Sequence, residues 1–379
     1  MIGLKGQYLF AFSIAGKNDF IQEADLQLFK VVEDAGNILP SFEFVFTLED
    51  TSILRYLNEG NPLEMAMGED DIAMTNINFR ILNKQISKIS QHKYLIRLTG
   101  LYDDMSYYTD CRINITDKVS GIEAIIDTAE NHFGIDTNVT KSQDQQYWVQ
   151  SNVSNKMFIN QVWMHSWLVN SFPAIGITSD GIFVIRDVKK LIKKLTTEDY
   201  AWKFISTDST KPDELTFDQY KVESNTGFIN LWVGYEREKE VLNLDTGVEG
   251  VITPSLNTML SLSTDLDRMA DIGTRASEFG VVNENVHPKY WVAYQQNLSY
   301  LSIFGSTKIV LQFTGKYANI RVLDLVLLRD MDLELKQSEE YYSGAYLVTR
   351  VTRILENKNF ITMIHLNRES LGGLQGEFA

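Results

Sequence analysis

The run Phe42-Glu-Phe-Val-Phe-Thr-Leu48 puts Phe42, Phe44, Phe46 and Leu48 on one side of an extended chain, which predicts a strand with one dry face. Alternation and a load of β-branched and aromatic residues predict further strands over residues 8–14, 26–32, 79–89 and 94–101. The last two flank the polar turn Ser90-Gln-His-Lys93 and form a hairpin. A short helix is expected at Ile53–Leu57 and an acidic turn at Gly68-Glu-Asp-Asp71. Residues 1–105 therefore read as a small antiparallel barrel or sandwich, in which barrel closure would remove exposed edges.

The period changes after Asp103. Ser120-Gly-Ile-Glu123 has the spacing of a capping box, in which hydroxyl and carboxylate satisfy the orphan donors of a first turn. Ile122, Ile125, Ile126, Ala129 and Phe133 follow at helical spacing, and Gly134 supplies a left-handed stop. A second helix is expected from Ser154, carrying Phe158, Ile159, Val162, Trp163 and Trp167 towards Pro173. Ala174–Arg186 predicts two strands around the turn Ser179-Asp-Gly181. Residues 106–210 thus read as an α+β unit. Extended chain returns over 211–242, and 243–306 reads as an insert with a helical stretch from Thr264. Strands resume at Lys308–Thr314, Ile320–Leu328, Tyr346–Leu355 and Phe360–Leu366, before a flexible tail at 371–379.

The last two strands flank Glu356-Asn-Lys-Asn359 and make a long hairpin. Strict alternation puts Leu347, Thr349, Val351 and Arg353 on one face and Tyr346, Val348, Arg350 and Thr352 on the other. Polar and apolar residues on both faces predict a strand partly buried on both sides, as in a subunit of a larger assembly.

Composition narrows the reading. A chain of 379 residues exceeds one ordinary core and suggests two to four domains, and 44% hydrophobic residues argue for a folded protein. Only six prolines are present and no Ser/Gly-rich linker stands out, so the domains are expected to be packed or interleaved. The net charge of −15 argues against adhesive binding of nucleic acid, because phosphate contacts need the opposite sign. Cys111 is the single cysteine, which excludes an intrachain disulfide and a cysteine-built metal centre. No apolar run reaches membrane-spanning length, and no membrane insertion is expected.

Candidate chemistry is sparse. His92, His132, His165, His287 and His365 are scattered without the clustering metal ligation needs, and no nucleophile elbow or phosphate-binding loop occurs, so neither catalytic residues nor cofactors are expected. Glu69-Asp-Asp71, Asp103-Asp104 and Glu339-Glu340 are the visible carboxylate pairs for glycoside hydrolysis, but adjacent acids on a turn ordinarily mark a solvated loop. Trp291 with Tyr294, and Tyr341 with Tyr342, suit either subunit contacts or stacking on sugars, with contacts favoured. Lys189, Lys190, Lys193 and Lys194 form either a solvated helix face or a docking patch for an acidic neighbour.

Four pieces carry a family resemblance. They are the N-terminal barrel ending near Leu101; Trp148-Val-Gln with the Phe158–Trp167 helix and the turn at Asp180-Gly181; the strand pair around the insert; and Ser343-Gly-Ala-Tyr-Leu-Val-Thr-Arg-Val leading to Phe360-Ile-Thr-Met-Ile-His-Leu366. Together they resemble the baseplate hub proteins of phage tails, a fold shared with the N-terminal part of siphophage tail-associated proteins and the base of type VI secretion spikes. The resemblance implies an α+β, mainly β fold: two small antiparallel tube-like β-barrels (1–105, and 211–242 with 307–370) with an α+β domain and an insert between them. It also implies a non-enzymatic homotrimer in the virion tail, assembled in the host cytoplasm. Such a trimer joins a hexameric tail tube to a trimeric spike, contacts other baseplate proteins and passes DNA through an acidic lumen. Nothing after Leu366 resembles a spike, so the spike is expected to be a separate chain. Arg350 and Arg353 become candidates for the subunit interface or the lumen wall, against simple solvation outside the barrel. The alternatives are a carbohydrate-active or carbohydrate-binding β-rich protein, with Glu69, Asp70 and Asp71 as the acids to change, and the hub of a contractile injection system that carries no DNA.

Overall fold

The alternation at Phe42–Leu48 and its neighbours builds a continuous antiparallel ladder. The protein is represented by a computed structural model that describes residues 2–4, 8–14, 17–18, 25–49, 51–68, 75–169, 171–193, 202–205, 214–223, 236–252, 274–282, 285–304, 307–314, 320–329, 344–356 and 359–368. The ladder comprises β1 (Ile2–Leu4), β2 (Tyr8–Ile14), β3 (Lys17–Asn18), β4 (Leu26–Asp34), β5 (Ser41–Leu48), β6 (Pro62–Gly68), β7 (Thr75–Lys88) and β8 (Tyr94–Tyr102). Phe29, Phe42, Phe44, Phe46, Phe79 and Leu98 turn into one core, with Ile53 of a short 3-10 helix (Thr51–Tyr56) and Leu57 just after it packed there too. Gly100 is dictated by that packing, since a Cβ would lie 1.9 Å from the Arg80 carbonyl oxygen. The sequence reading passed over β6. Its Leu63, Met65 and Met67 do point inwards, but methionine and alanine are weak strand formers and mask the alternation.

The middle segment contains α1 (Ser106–Thr109), β9 (Cys111–Ile115), α2 (Gly121–Ala129), β10 (Gly134–Thr137), β11 (Val149–Ser154), α3 (Asn155–His165), β12 (Pro173–Ile177), β13 (Ile182–Asp187) and α4 (Val188–Lys193). The expected capping box is present: the Ser120 hydroxyl accepts from the Glu123 amide, and the Glu123 carboxylate accepts from the Ser120 amide at 3.0 Å. Helices α2 and α3 pack Ile122, Ile125, Phe158 and Val162 against Phe183 and Ile185 of β13, and Gly181 turns the β12–β13 hairpin at φ 78°.

The remaining elements are β14 (Trp202–Ile205), β15 (Glu214–Thr216), β16 (Gln219–Glu223), β17 (Glu236–Asn243), β18 (Glu249–Ile252), β19 (Thr274–Val282), α5 (Tyr290–Phe304), β20 (Thr307–Thr314), β21 (Leu325–Arg329), β22 (Gly344–Glu356) and β23 (Asn359–Arg368). Two placements differ from the sequence reading. β14, read with the α+β unit, pairs parallel with β21 because Phe204 belongs to the second β core. β17, read as a barrel strand, joins β18 and β19 in a separate three-stranded sheet, since Glu236-Arg-Glu-Lys-Glu240 offers a core few apolar side chains. The strand expected from Ile320 begins only at Leu325: the Asp324 carboxylate accepts from the Arg321 amide at 2.9 Å, and Leu323 sits at φ 66°, so a tight turn precedes it. The helix expected from Thr264 takes in Ala276, but Ala276 lies in strand β19, paired with Glu238 of β17; residues 264–273 and the acidic turn at Glu69–Asp71 lie outside the described residues.

The architecture is mainly β with the helices segregated, an α+β fold. Fifteen strands form a single sheet along the path β1-β2-β6-β7-β8-β5-β4-β22-β21-β14-β15, from which β23, β20 and β16 branch at β22 and β3 branches at β2. Among the described residues no pairing closes either half of this sheet into a ring. The closing hairpin is the link. One edge of β22 pairs with β21 through Gly344–Leu347 and then with β4 through Arg350–Glu356, while the other edge pairs with β23. Its side chains divide accordingly: Tyr346, Val348 and Val351 enter the second β core, Leu355 and Phe360 the first, and Ala345 and Leu347 a third cluster against the middle segment. A bulge at Thr349 shifts the alternation by one residue, which puts Val348 and Val351 in the same core and overturns the strict alternation assumed from sequence.

Candidate functional site at the sheet junction

Where β4 crosses from the first sheet half to the hairpin, the apolar strand ends in Val31-Val32-Glu33-Asp34. Register puts Arg350 opposite Asp34, and Val351 opposite Glu33. Arg353 reaches diagonally to Glu33, its Nη1 donating to Oε1 at 2.9 Å, and its Nη2 donates to the Ile320 carbonyl at 2.8 Å. The Ser179 amide donates to the same Glu33 oxygen at 3.2 Å, and the Ser179 hydroxyl donates to it as well. One buried carboxylate thus gathers the first sheet half, the β12–β13 turn and the hairpin. Glu33 and Arg353 are 2% and 4% exposed, so each charge depends on the other for solvation. Glu33 Oε2 has no partner among the described residues.

Charges continue around the node. Arg350 makes a bidentate pair with Asp34, its Nη2 lying 3.0 Å from Oδ2, on the half-exposed side of the junction. Arg321 pairs with Asp180 at 3.2 Å, and Arg186 pairs with Asp136 at 2.7 Å, holding the Asp136 carboxyl below its ordinary range. Burial pushes Asp324 up to about 6 against the opposing pull of the Arg321 amide and the Arg186 charge.

A second polar cluster ties α1 to the end of α2 and the start of α3. His132 Nδ1 lies 2.7 Å from Asp104 Oδ2, and Nε2 lies 2.7 Å from Asn155 Nδ2. Asn155 Oδ1 accepts from Gln150, so its Nδ2 faces the ring as a donor and the imidazole proton sits on Nδ1. Ser106 Oγ, 3.4 Å from Nδ1, meets the protonated nitrogen and donates to Asp104. A serine nucleophile needs the imidazole lone pair, which Asn155 occupies here. These residues are the material of a triad in an arrangement suited to holding helices together.

The residues singled out from sequence separate. Arg353 is buried within the chain, so it lines neither a subunit surface nor a lumen; the expectation fails because Glu33 draws it inward. Arg350 is paired with Asp34 but keeps an exposed face. Trp291 and Tyr294 lie on α5 and are engaged internally: Lys239 Nζ sits 4.0 Å from the Trp291 ring and 5.1 Å from that of Tyr294, which also stacks on His165 at 5.0 Å. Burial among these rings lowers His165 to about 4. Lys189 and Lys190 lie on α4, with their amides donating to Ser171 Oγ and to Asp187 Oδ1. Lys194, Tyr341, Tyr342, Glu69, Asp70, Asp71 and the Lys193 side chain lie outside the described residues. Asp103 is taken by Arg80 and Asp104 by His132 and Ser106. Sequence reasoning missed Glu33, Asp34 and Ser179; the signal was an acidic pair ending an apolar strand, uninformative until its partner strand was known. Among the described residues no group of three or more His, Cys, Asp or Glu is placed to hold a metal, and no helix is long and apolar enough to cross a membrane.

No protein-family model matches the chain, and no curated protein sequence matches it. Solved structures do. A tail protein from Neisseria meningitidis MC58 superposes with a TM-score of 0.58 at 12% identity, covering 96% of this chain and 97% of its own. The 43 kDa tail protein of prophage MuSo2 from Shewanella oneidensis gives 0.60 at 11% identity, covering 95% and 98%. The E. coli c3393 protein, a type VI secretion component with structural similarity to the T4 bacteriophage tail proteins gp27 and gp5, gives 0.51 at 10%, covering 97% and 80%. The likeness spans nearly the whole chain, and what it establishes is a shared fold.

Proposed function

We propose that this chain is the structural hub of a phage tail: a homotrimer that adapts a hexameric tube to a trimeric spike and forms part of the DNA conduit. The observation that carries the reading is the end-to-end likeness to two tail proteins, with coverage above nine-tenths on both sides. The junction supports it. Two β halves locked edge to edge through β4 and β22 give each subunit two similarly sized β units in fixed relation, which a threefold ring needs in order to present six positions to a tube. The net charge of −15 suits a wall that DNA passes without sticking. The partners on this reading are the chain itself, a tail tube protein, a separate spike protein and other baseplate proteins, in the virion tail.

The likeness to the type VI component favours a second version, the hub of an injection system without DNA passage. Neighbouring genes for capsid and terminase separate the two. The direct test is the mass of the purified protein with a low-resolution image: a trimer with a central hole is expected, and a monomer that binds neither tube nor spike protein overturns the proposal.

A further inference from the structure

The β9–β11 ribbon carries its polarity inside out. Gln150 of β11 is buried, as are Ser142, Asp144, Gln146 and Trp148 along the segment leading to it. The opposite side is apolar and exposed: Ile113 at 82%, Ile115 at 63%, Tyr147 at 58% and Val149 at 44%. Every residue of β9 is exposed, and among the described residues β9 pairs only with β11. Proteins ordinarily blunt such an edge with charge, proline or a covering element. β9 has one charge, Arg112, and next to it presents the exposed Ile113 and Ile115.

Hydrogen-bond parity shows which backbone groups are open. The Thr116 amide donates to the Trp148 carbonyl at 3.0 Å, so Thr116, and by alternation Asn114, turn towards β11. The amides and carbonyls of Ile113 and Ile115 therefore point away from it, along the free edge. We propose that this edge pairs with β9 of a second copy of this chain, antiparallel about a twofold axis at Asn114. Charge selects both occupant and register. Centred on Asn114, exposed Asp110 faces Lys118 of the partner copy and Lys118 faces its Asp110, while Ile113 faces Ile115 and Ile115 faces Ile113. Centred on Ile113, Asp110 faces Thr116 and both charge pairs are lost. In a chain of net charge −15, this strip balances Asp110 and Asp117 with Arg112 and Lys118, so two copies approach here without the general repulsion. The contact is independent of any ring contact and goes beyond the hub reading, joining two chains or two rings.

Sedimentation equilibrium of the full chain tests it. The mass is expected to double with concentration, from whatever unit the dilute protein forms. Ile113→Lys with Ile115→Lys is expected to abolish the doubling. Lys118→Asp is expected to weaken it at least about tenfold by facing acid with acid, and Asp110→Lys with Lys118→Asp to restore it. In a Cys111→Ser background, Asn114→Cys is expected to cross-link two chains, because directly opposite non-hydrogen-bonded residues lie about 4.5 Å apart, within disulfide reach. Overturning results are no doubling, doubling that survives the two lysines, failure of the charge-swapped double variant, or occupation of the edge only by a different protein. The hub reading fails differently, by a base unit that is never a trimer.

Discussion

Arg350 and Arg353 lie on the same strand and pair with adjacent acids of β4, Asp34 and Glu33, yet they belong to different physical regimes. Arg350 and Asp34 keep 43% and 26% of their side-chain surface, so water screens the pair and solvates each ion if the other is lost. Arg353 and Glu33 keep 4% and 3%, and neither has water to fall back on. A buried pair of this kind adds little net stability over a well-packed apolar replacement, but it penalises every arrangement that separates the partners. Glu33 accepts from the β12–β13 turn as well as from the hairpin. The penalty therefore falls on any displacement among three parts of the fold, and the buried pair defines the junction while the exposed pair decorates it.

The sharpest way to break that contrast is to orphan one buried charge. Arg353→Met is expected to cost about 3–5 kcal/mol in urea unfolding, because Glu33 is left buried without its partner. Adding Glu33→Gln, which removes the charge but keeps an acceptor for Ser179, is expected to recover most of the loss; an equally unstable double variant would show that the pair stabilises by its own attraction.

Next in size is the acid response. Burial lowers His165 and His365 to about 4 from an ordinary value near 6.5. The folded state therefore holds fewer protons on them than the unfolded state, and their contribution is lost as pH falls from about 6.5 towards 4. Asp324, raised to about 6, has the opposite sign: its contribution is complete below the unfolded value and is lost as pH rises towards 6. The unfolding midpoint is expected to fall on acidification across this window because these two histidines, together with His287, which burial also lowers, oppose one aspartate. Asp324→Asn is expected to steepen that fall, and a flatter profile would remove Asp324 from the account.

A smaller effect is expected in the helical cluster. Asn155→Ala removes the donor to His132 Nε2 and the acceptor for Gln150, and should cost about 1–3 kcal/mol. Smallest of all is Arg350→Ala, expected within about 1 kcal/mol and reduced further by salt. A loss as large as that of Arg353→Met would show that the exposed pair also defines the junction.

Local elements were legible because their causes are local. The Phe42–Leu48 alternation, the Ser120–Glu123 capping box, the Gly181 turn and the final hairpin each depend on residues a few positions apart. Helix α5 was missed because Ala293, Gln295, Gln296, Asn297 and Ser299 are all buried, so no polar face marked its period. Gln296 and Asn297 instead donate to carbonyls of 163–171, a partnership made at great sequence distance.

The sequence by itself determined most strands of the first sheet half, the first helices, the final hairpin and the mainly β class, and it marked that hairpin as buried on both sides. Only the tertiary structure decided why. One edge of β22 is shared between β21 and β4, a bulge at Thr349 turns its side chains from one core to the next, and Arg353 meets a glutamate 320 positions away. Periodicity reports which face of a strand avoids water. The partner that covers it is set by long-range register, which depends on chain closure and on the burial of charges whose partners lie far off in sequence.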